Sequence, residues 1–458
     1  MTHHHRGNWG SRFGFILAAA GSAVGLGNLW KFPYLSWDNH GGAFVLMYLL
    51  SVAIVGLPLM MCEILIGKKT QLSPVPAFIK LGGKRWSGLG WIGVVAGAVI
   101  QSYYMVIAGW SVKSFIQCLG WSITGYIAPG PTDFAVFLAD GPQQIGFTAL
   151  FTLATGVVVF RGVGGGIEKA SKILMPTLFL ILLYLVGTTL TMEGRDRALA
   201  MIFTPDFSAL PSDGFLEALG QAFFSLSLGL GAMVAYGSYL DRDESIFKSS
   251  IYVIIIDTSV AMLACVAMFT IIFSVPGLEE KVSGSTVGML FITLPDLFYT
   301  VMPGGAILGP LFFVLVGFAA LSSTISLGEV TTSLLIDLRH WKRPKAVIFT
   351  SSVVFMGSIL AALSLGAVTG LSSFQIFPGK SGMLETLDYL ATNWMLPTGG
   401  LLTTLFVGWK LGKKVCLEEF GLERGTLSFT LWLWLVRVAA PAAILLLLIN
   451  VIMGKDFS

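Results

Sequence analysis

The stretch F-G-F-I-L-A-A-A-G-S-A-V-G-L-G-N-L-W-K-F-P, residues 13–33, decides how this chain folds. It is long and apolar enough to cross a membrane, whose hydrocarbon core of about 30 Å needs about 20 helical residues. Yet Gly25-Leu26-Gly27 stands near its middle. A glycine inside a helix costs up to about 1 kcal/mol relative to alanine, so two glycines flanking one residue mark a point of unwinding. The plainer alternative is close helix packing, which small residues permit. A second stretch decides between them. Residues 218–237 read A-L-G-Q-A-F-F-S-L-S-L-G-L-G-A-M-V-A-Y-G and repeat the tripeptide as Gly229-Leu230-Gly231. Two interrupted helices at matching positions of two halves mark the binding site of a secondary transporter. Unwound backbone is tolerated at membrane depth only where it is buried or lines a cavity.

The rest of the chain agrees. It has 458 residues, 55% hydrophobic and only 12% charged, with a mean hydropathy of +0.81. Soluble domains carry about 25% charged residues, so this composition excludes a water-soluble enzyme of comparable size. Spans are expected at about 13–36, 42–67, 89–119, 144–160, 169–190, 216–240, 248–275, 307–338, 345–366, 382–409 and 427–453. The interrupted spans are thus numbers 1 and 6. This spacing predicts an all-α polytopic membrane protein built as a five-plus-five repeat with an eleventh helix added. Repeat one covers about 9–190, repeat two about 214–410, and the extra helix about 427–453. No small-residue cleavage site follows the first apolar stretch, so no signal peptide is expected. The loop 276–306, with Pro276, Pro295 and Pro303, is expected to fold back as short helices over the bundle.

Charge sets orientation. The loops after spans 2, 4, 6, 8 and 10, with Arg6 and Arg12, hold 20 basic residues, whereas the opposite loops and the C-terminal end hold five. The positive-inside rule then makes the N-terminus cytoplasmic and, with eleven spans, the C-terminus external. The basic residues are spread over short loops, which argues against a nucleic-acid partner. Cys62, Cys118 and Cys265 lie in spans and Cys416 in a loop, so no disulfide is expected. With no N-x-S/T acceptor either, a bacterial inner (plasma) membrane fits the chain.

The segments A-G-S-A-V-G-L-G-N-L-W-K-F-P (20–33), N-H-G-G-A-F and G-L-P-L-M-M-C-E (within 39–63), Tyr103-Tyr104, Q-A-F-F-S-L-S-L-G-L-G (221–231) and A-A-L-S-S-T-I-S-L (319–327) resemble signature stretches of the neurotransmitter:sodium symporters. The bacterial amino-acid branch, the leucine-transporter type, is the most similar. The resemblance runs from Trp9 to about span 10. It implies the five-plus-five inverted-repeat fold, with helices 1 and 6 unwound at the middle, and sodium-coupled symport. The chain departs from the pattern by stopping at eleven spans rather than twelve, and by carrying Lys31 where the outer gate usually has Arg.

The resemblance also implies sites. One sodium ion would be held by Ala23, Asn28, Ser225 and Asp257 together with the substrate carboxylate, and a second by Gly21, Val24, Ala319, Ser322 and Ser323. Such hard cations want oxygen ligands. The substrate site would comprise Ala23, Gly25, Leu26, Gly27, Ile100, Tyr104, Phe224, Ser225, Ser227, Leu230, Ser323 and Leu327. In the family's monoamine transporters an Asp stands where this chain has Gly25, so Gly25 implies room for a carboxylate. A nearly apolar wall implies a neutral aliphatic or aromatic amino acid. Lys31 and Asp388 would form an outer gate, with Tyr104 and Phe224 as a lid. Arg6 and Asp337 would form an inner gate near Trp9, Ser238 and Tyr239. Gly166 and Pro176 resemble a motif that lets span 5 unwind.

Asp257 stands out on chemistry alone, as a carboxylate in the apolar run I-Y-V-I-I-I-D-T-S-V-A-M-L. A charge at a helix centre costs about 2.5–3.5 kcal/mol on insertion scales and faces a partner or a cavity. In chloride-dependent relatives an Asn typically stands here, so Asp257 implies a chloride-independent transporter in which its carboxylate is the counter-charge to sodium. The chloride-pocket counterparts are Tyr48, Gln221 and Ser225. Glu63 reads as a support for the break in span 6, and Glu329 is left without a role. Two other classes fit the chain less well. A membrane enzyme would need His, Cys or acidic clusters within spans, and His40 and His340 sit at span ends. A substrate-gated channel or sensor on the same fold is the alternative to symport.

Overall fold

The computed structural model describes residues 7–130, 132–279, 289–420 and 425–457, and those residues are helical with no strand among them. Arg6 lies outside the described residues. Among the described residues, eight helices are long and apolar enough to cross a membrane: Gly42–Thr70 (span 2), Lys84–Thr124 (3), Gly141–Phe160 (4), Val163–Thr189 (5), Ile246–Ser274 (7), Gly305–Arg339 (8), Arg343–Leu363 (9) and Leu427–Ile452 (11). Span 1 is the bent pair Arg12–Ala23 and Gly27–Asp38, whose halves meet at 54°. Span 6 is split into Gly214–Ser225 and Ala232–Gly237, and span 10 is the continuous helical stretch 382–411. Each half of span 6 is too short to cross by itself, and span 10 is diluted by Glu385, Asp388, Asn393 and Lys410. The loops carry short helices at Asp133–Ala139, Arg195–Phe203, Leu294–Thr300 and Lys413–Glu419.

Local chemistry sets the boundaries. Side chains of Ser11, Asp140, Ser245 and Thr426 cap the starts of spans 1, 4, 7 and 11 by accepting a backbone N–H, relieving donors that have no partner inside the helix. Spans 2 and 8 end on left-handed residues, Gln71 and His340.

Five π-helical turns share one cause. Gly27–Lys31, Val52–Gly56, Met289–Thr293, Leu390–Met395 and Leu435–Ala439 are each followed, two residues on, by Pro33, Pro58, Pro295, Pro397 or Pro441. Proline lacks an N–H, and its ring collides with the carbonyl four residues back. In every case that carbonyl lies inside the widened turn, which moves it clear.

Burial sorts the spans by layer. The apolar windows of spans 2 and 3 are 72% buried, against 33% for span 4 and 28% for span 11. Spans 4, 5, 9 and 11 therefore face lipid with side chains such as Leu153, Leu180, Met356 and Leu431. Spans 1, 2, 3, 6 and 8 form the interior, where Asn28, Glu63 and Glu329 are buried, and Asp257 of span 7 is buried against it. Close backbone approach holds that interior together. A methyl group added at Gly67 would fall 2.1 Å from the Val234 carbonyl oxygen of span 6. The four cysteines are buried and unpaired.

Candidate functional site

The two breaks meet at the centre of the bundle. In span 6 the chain turns through Ser227 at φ +53°, Gly229 at +82° and Gly231 at +70°. The positive φ of Ser227 is uncommon for a residue with a Cβ, and its hydroxyl is tied to span 1 by donating to the Ser22 carbonyl at 2.7 Å. Gly229 is fixed from two sides. Its N–H donates to Glu63 Oε1 at 2.7 Å, and a Cβ at this position would lie 2.3 Å from the Leu396 carbonyl oxygen of span 10. Glu63 thus satisfies backbone that the break leaves without a helical partner.

Asp257, Asn28, Ser225 and Tyr48 form one cluster beside the break of span 1. Asn28 Nδ2 donates to Asp257 Oδ1 at 2.7 Å, to the Asp257 carbonyl at 3.2 Å and to Ser225 Oγ at 3.2 Å. The Tyr48 hydroxyl reaches Asp257 Oδ2 and Ser225 Oγ, each at 3.2 Å, and Ser225 Oγ lies 3.0 and 2.9 Å from the two carboxylate oxygens. Asn28 Oδ1 accepts from the Gly25 N–H at 3.1 Å, and Gln221 Nε2 donates to the Gly27 carbonyl at 3.2 Å. A carboxylate, two hydroxyls and an amide oxygen, all buried, make a donor set for a hard monovalent cation. Ala23, expected in the same site, is buried at the edge of the adjoining cavity.

A second group of oxygens gathers between spans 1 and 8. Ser322 Oγ lies 3.5 Å from the Val24 carbonyl and 2.9 Å from the Ala319 carbonyl. Ser323 Oγ lies 3.5 Å from Val24 O and 3.3 Å from Ala319 O. Gly21 abuts them, since a Cβ there would lie 3.1 Å from Ser322 Cβ and 3.2 Å from Met175 Sδ.

Between the two groups lies a cavity of about 400 Å³, lined by Ala23, Gly25, Gly27, Ile100, Tyr104, Phe224, Ser225, Ser227, Leu230, Ser323 and Leu327. Leu26 contributes its N–H, which donates to the Tyr104 hydroxyl at 2.9 Å. Ser22 and Leu396 also line it, and neither is readable from the sequence. Ser22 is one helical residue among small neighbours, and Leu396 is one of many apolar residues of span 10. The cavity is narrow. Its walls are mostly apolar, with hydroxyls and broken backbone at one end. A Cβ on Gly25 would fall 2.7 Å from Ser323 Oγ and 2.8 Å from the Tyr104 hydroxyl, so that end admits no side chain at 25.

Tyr104 and Phe224 separate this cavity from a vestibule of about 1850 Å³ on the face opposite the N-terminus, lined also by Lys31, Lys380 and Asp388. Lys31 and Asp388 do not form the expected ion pair. Lys31 Nζ sits 5.0 Å from the Phe224 ring centroid and donates to the Phe457 carbonyl at 3.4 Å, while Asp388 Oδ1 accepts from Thr392 at 3.2 Å. Both residues line the vestibule.

The N-terminal face is closed. Trp9 is buried, its indole N–H donates to the Tyr236 carbonyl at 3.0 Å, and it packs edge-on to Phe15, Tyr236 and Tyr239. Ser238 is buried beside them. Asp337, half of the expected inner pair, accepts from the Ser73 N–H at 2.7 Å. Glu329, left without a role above, is held by Arg343 through two bonds of 2.7 and 2.8 Å and by the Tyr239 hydroxyl at 2.5 Å. Its partner stands on the next span, where nothing in the sequence pairs the two. Gly166 lies in the π-helical turn Val163–Glu168, and the helix is continuous through Pro176.

A family model, the sodium:neurotransmitter symporter family, matches residues 6–127 and 138–456. The chain belongs to the sodium:neurotransmitter symporter family. It is 35% identical to an uncharacterized sodium-dependent transporter of Bacillus subtilis, YhdH, with 97% of each chain covered. It is 26% identical to the human sodium- and chloride-dependent GABA transporter 2, covering 97% of this chain and 80% of that one. Among solved structures, MhsT in complex with L-phenylalanine matches with a TM-score of 0.87 and 39% identity over 97% of this chain and 99% of that one. The symporter is therefore an all-α, multi-pass membrane protein with that family's five-plus-five inverted repeat, and a sodium-dependent secondary transporter rather than an enzyme.

Proposed function

We propose that this symporter couples the uptake of a neutral hydrophobic L-amino acid to sodium, without chloride, by alternating access. The carrying observation is the juxtaposition of the Asp257–Asn28–Ser225 cluster with a small, mostly apolar cavity that ends on broken backbone. A sodium ion at Asp257, Asn28, Ser225 and the Ala23 carbonyl would also meet the substrate carboxylate, so each would raise the other's affinity by linkage. Asn28 would turn its amide oxygen toward the ion, replacing the N–H contact with Asp257. The second sodium would sit among Gly21, Val24, Ala319, Ser322 and Ser323. The substrate carboxylate would take the Leu26 and Gly27 N–H groups and the Tyr104 hydroxyl. Its side chain would lie against Ile100, Phe224, Leu230, Leu327 and Leu396. The presence of L-phenylalanine in the MhsT structure supports this substrate class.

Asp257 supplies the negative charge that would otherwise come from an anion, since its carboxylate already occupies the hydroxyls of Tyr48 and Ser225. The N-terminus is read as cytoplasmic, the vestibule as external, and repeat one as residues 9–190 against repeat two at 214–410. Two sodium charges moving through 100 mV supply about 4.6 kcal/mol, or about three decades of accumulation. The test is uptake by proteoliposomes against a panel of twenty amino acids. Accumulation of aliphatic or aromatic amino acids above the external concentration is expected with an inward sodium gradient, in chloride or gluconate alike. Equilibration without accumulation would leave a channel instead, and loss of uptake in gluconate would refute the role of Asp257.

A further inference from the structure

Residues 455–457 bind spans 1, 6 and 10 and the loop before span 10, all of which contribute residues to the vestibule wall. Lys455 pairs with Asp213 at the start of span 6. Asp456 pairs with Lys380 in the loop before span 10, and its Oδ1 also accepts from Asn393 Nδ2 of span 10 at 3.0 Å. The Phe457 N–H donates to Asn393 Oδ1 at 2.8 Å, and its carbonyl accepts from Lys31 of span 1 at 3.4 Å. The Phe457 side chain is only 5% exposed. It is seated beside Gly220 of span 6, where an added Cβ would come within 3.3 Å of Phe457 Cβ. Asn393 therefore serves the strap with both ends of its amide, and a buried ring anchors it.

The consequence falls on Lys31, which sits over the Phe224 lid and faces Asp388 across the vestibule. We propose that residues 455–457 are a strap that positions the outer gate: the Phe457 carbonyl holds Lys31 away from Asp388, and the gate closes only when Lys31 leaves it. The two acceptors compete for one ammonium group. A backbone carbonyl on a tethered segment offers Lys31 a fixed but uncharged partner. Asp388 offers a full opposite charge, which adds Coulombic attraction once the distance allows it. The strap also ties the start of span 6 to span 10. Asp456, Phe457 and Asn393 act through Lys31 and touch no substrate, so they are positioning residues.

The inference rests on the alternating-access reading, and one experiment separates the two. Ile107 lines the vestibule wall, and the native cysteines are buried. Ile107→Cys can therefore be labelled with a membrane-impermeant maleimide in sodium-free buffer. In the parent background, sodium with a saturating hydrophobic amino acid should slow labelling. If it does not, alternating access is at fault, whatever the strap does. In Asp456→Asn and Phe457→Ala backgrounds, labelling in sodium-free buffer should already be roughly two- to fivefold slower, the range expected for one partly exposed ion pair. Adding Asp388→Asn should restore the parent rate, because Lys31 then loses the carboxylate it faces across the vestibule. Lys455→Gln, an exposed change, guards against variants that fold poorly and should act in the same direction. Unchanged labelling in well-folded strap variants, or slowing that Asp388→Asn does not reverse, would overturn the proposal.

Discussion

At the scale of single residues the site turns on Asp257. It is buried with every hydrogen-bonding neighbour neutral. Asp257→Asn preserves shape and most hydrogen bonds while removing the charge. Sodium-dependent substrate binding should then fall about tenfold or more in chloride-free buffer, a change of at least about 1.4 kcal/mol, and chloride should recover part of it. A scintillation-proximity assay in chloride and in gluconate reads this directly; equal binding by both proteins in gluconate would show that the carboxylate is not the counter-charge. Gly25→Ala makes the complementary point, since its Cβ would meet two hydroxyls below 3 Å. It should abolish substrate binding and lower the unfolding temperature, because the two hydroxyls must move aside. Asp257 was legible because a lone carboxylate in an apolar span has few explanations. Asn28 and Ser225 were legible only through the family motif, since buried amides and hydroxyls are common. Glu329 was half legible, because its charge shows in the sequence and its partner does not.

Among elements, the breaks carry the argument. The tripeptide Gly-Leu-Gly revealed both, in span 6 because positions 229 and 231 take a positive φ that glycine favours, and in span 1 because Gly25 and Gly27 leave no room for a Cβ. The close approach of spans 6 and 10 was invisible, because it joins the Gly229 and Gly399 backbones, with added Cβ atoms 2.3 Å from the opposing carbonyl oxygens. The π-helical turns were written in the sequence as prolines, although apolar periodicity alone does not distinguish a widened turn from an α-helical one. Gly229→Ala combines a forbidden φ with a backbone collision, so it should destabilise the protein by more than about 1 kcal/mol and eliminate transport. Gly120→Ala, where an added methyl meets nothing within 4 Å, is the matched control and should leave both unchanged. Thermal unfolding in detergent with uptake in proteoliposomes checks the pair; a tolerated Gly229→Ala would mean that the break is free to relax.

For the molecule as a whole, one face holds a wide vestibule and the other a sealed plug, and alternating access requires the two to exchange. The plug is built from Trp9 and its aromatic neighbours, with the Glu329–Arg343 pair behind it. Glu329 is fully buried and Arg343 is 16% exposed. Removing one member of such a pair strands the other, at a cost of about 3–5 kcal/mol. If the pair exists only while this face is closed, the loss falls on the closed state alone, and about 3 kcal/mol shifts the balance by roughly a hundredfold. Glu329→Gln should then expose Ser238→Cys to labelling from the N-terminal face at least about tenfold faster, and weaken substrate binding from the vestibule, with the fold intact. If instead the pair persists in every state, Glu329→Gln should lower the unfolding temperature without changing labelling, and Glu329→Leu with Arg343→Met should restore stability, because apolar isosteres often replace a buried pair without loss. Labelling from the two faces, measured on the same variants in sodium and in its absence, distinguishes a gate from a rivet. The Tyr239 hydroxyl favours the gate, because it joins Glu329 to the residue that packs against Trp9, so opening this face must break the aromatic plug and the ion-pair network together.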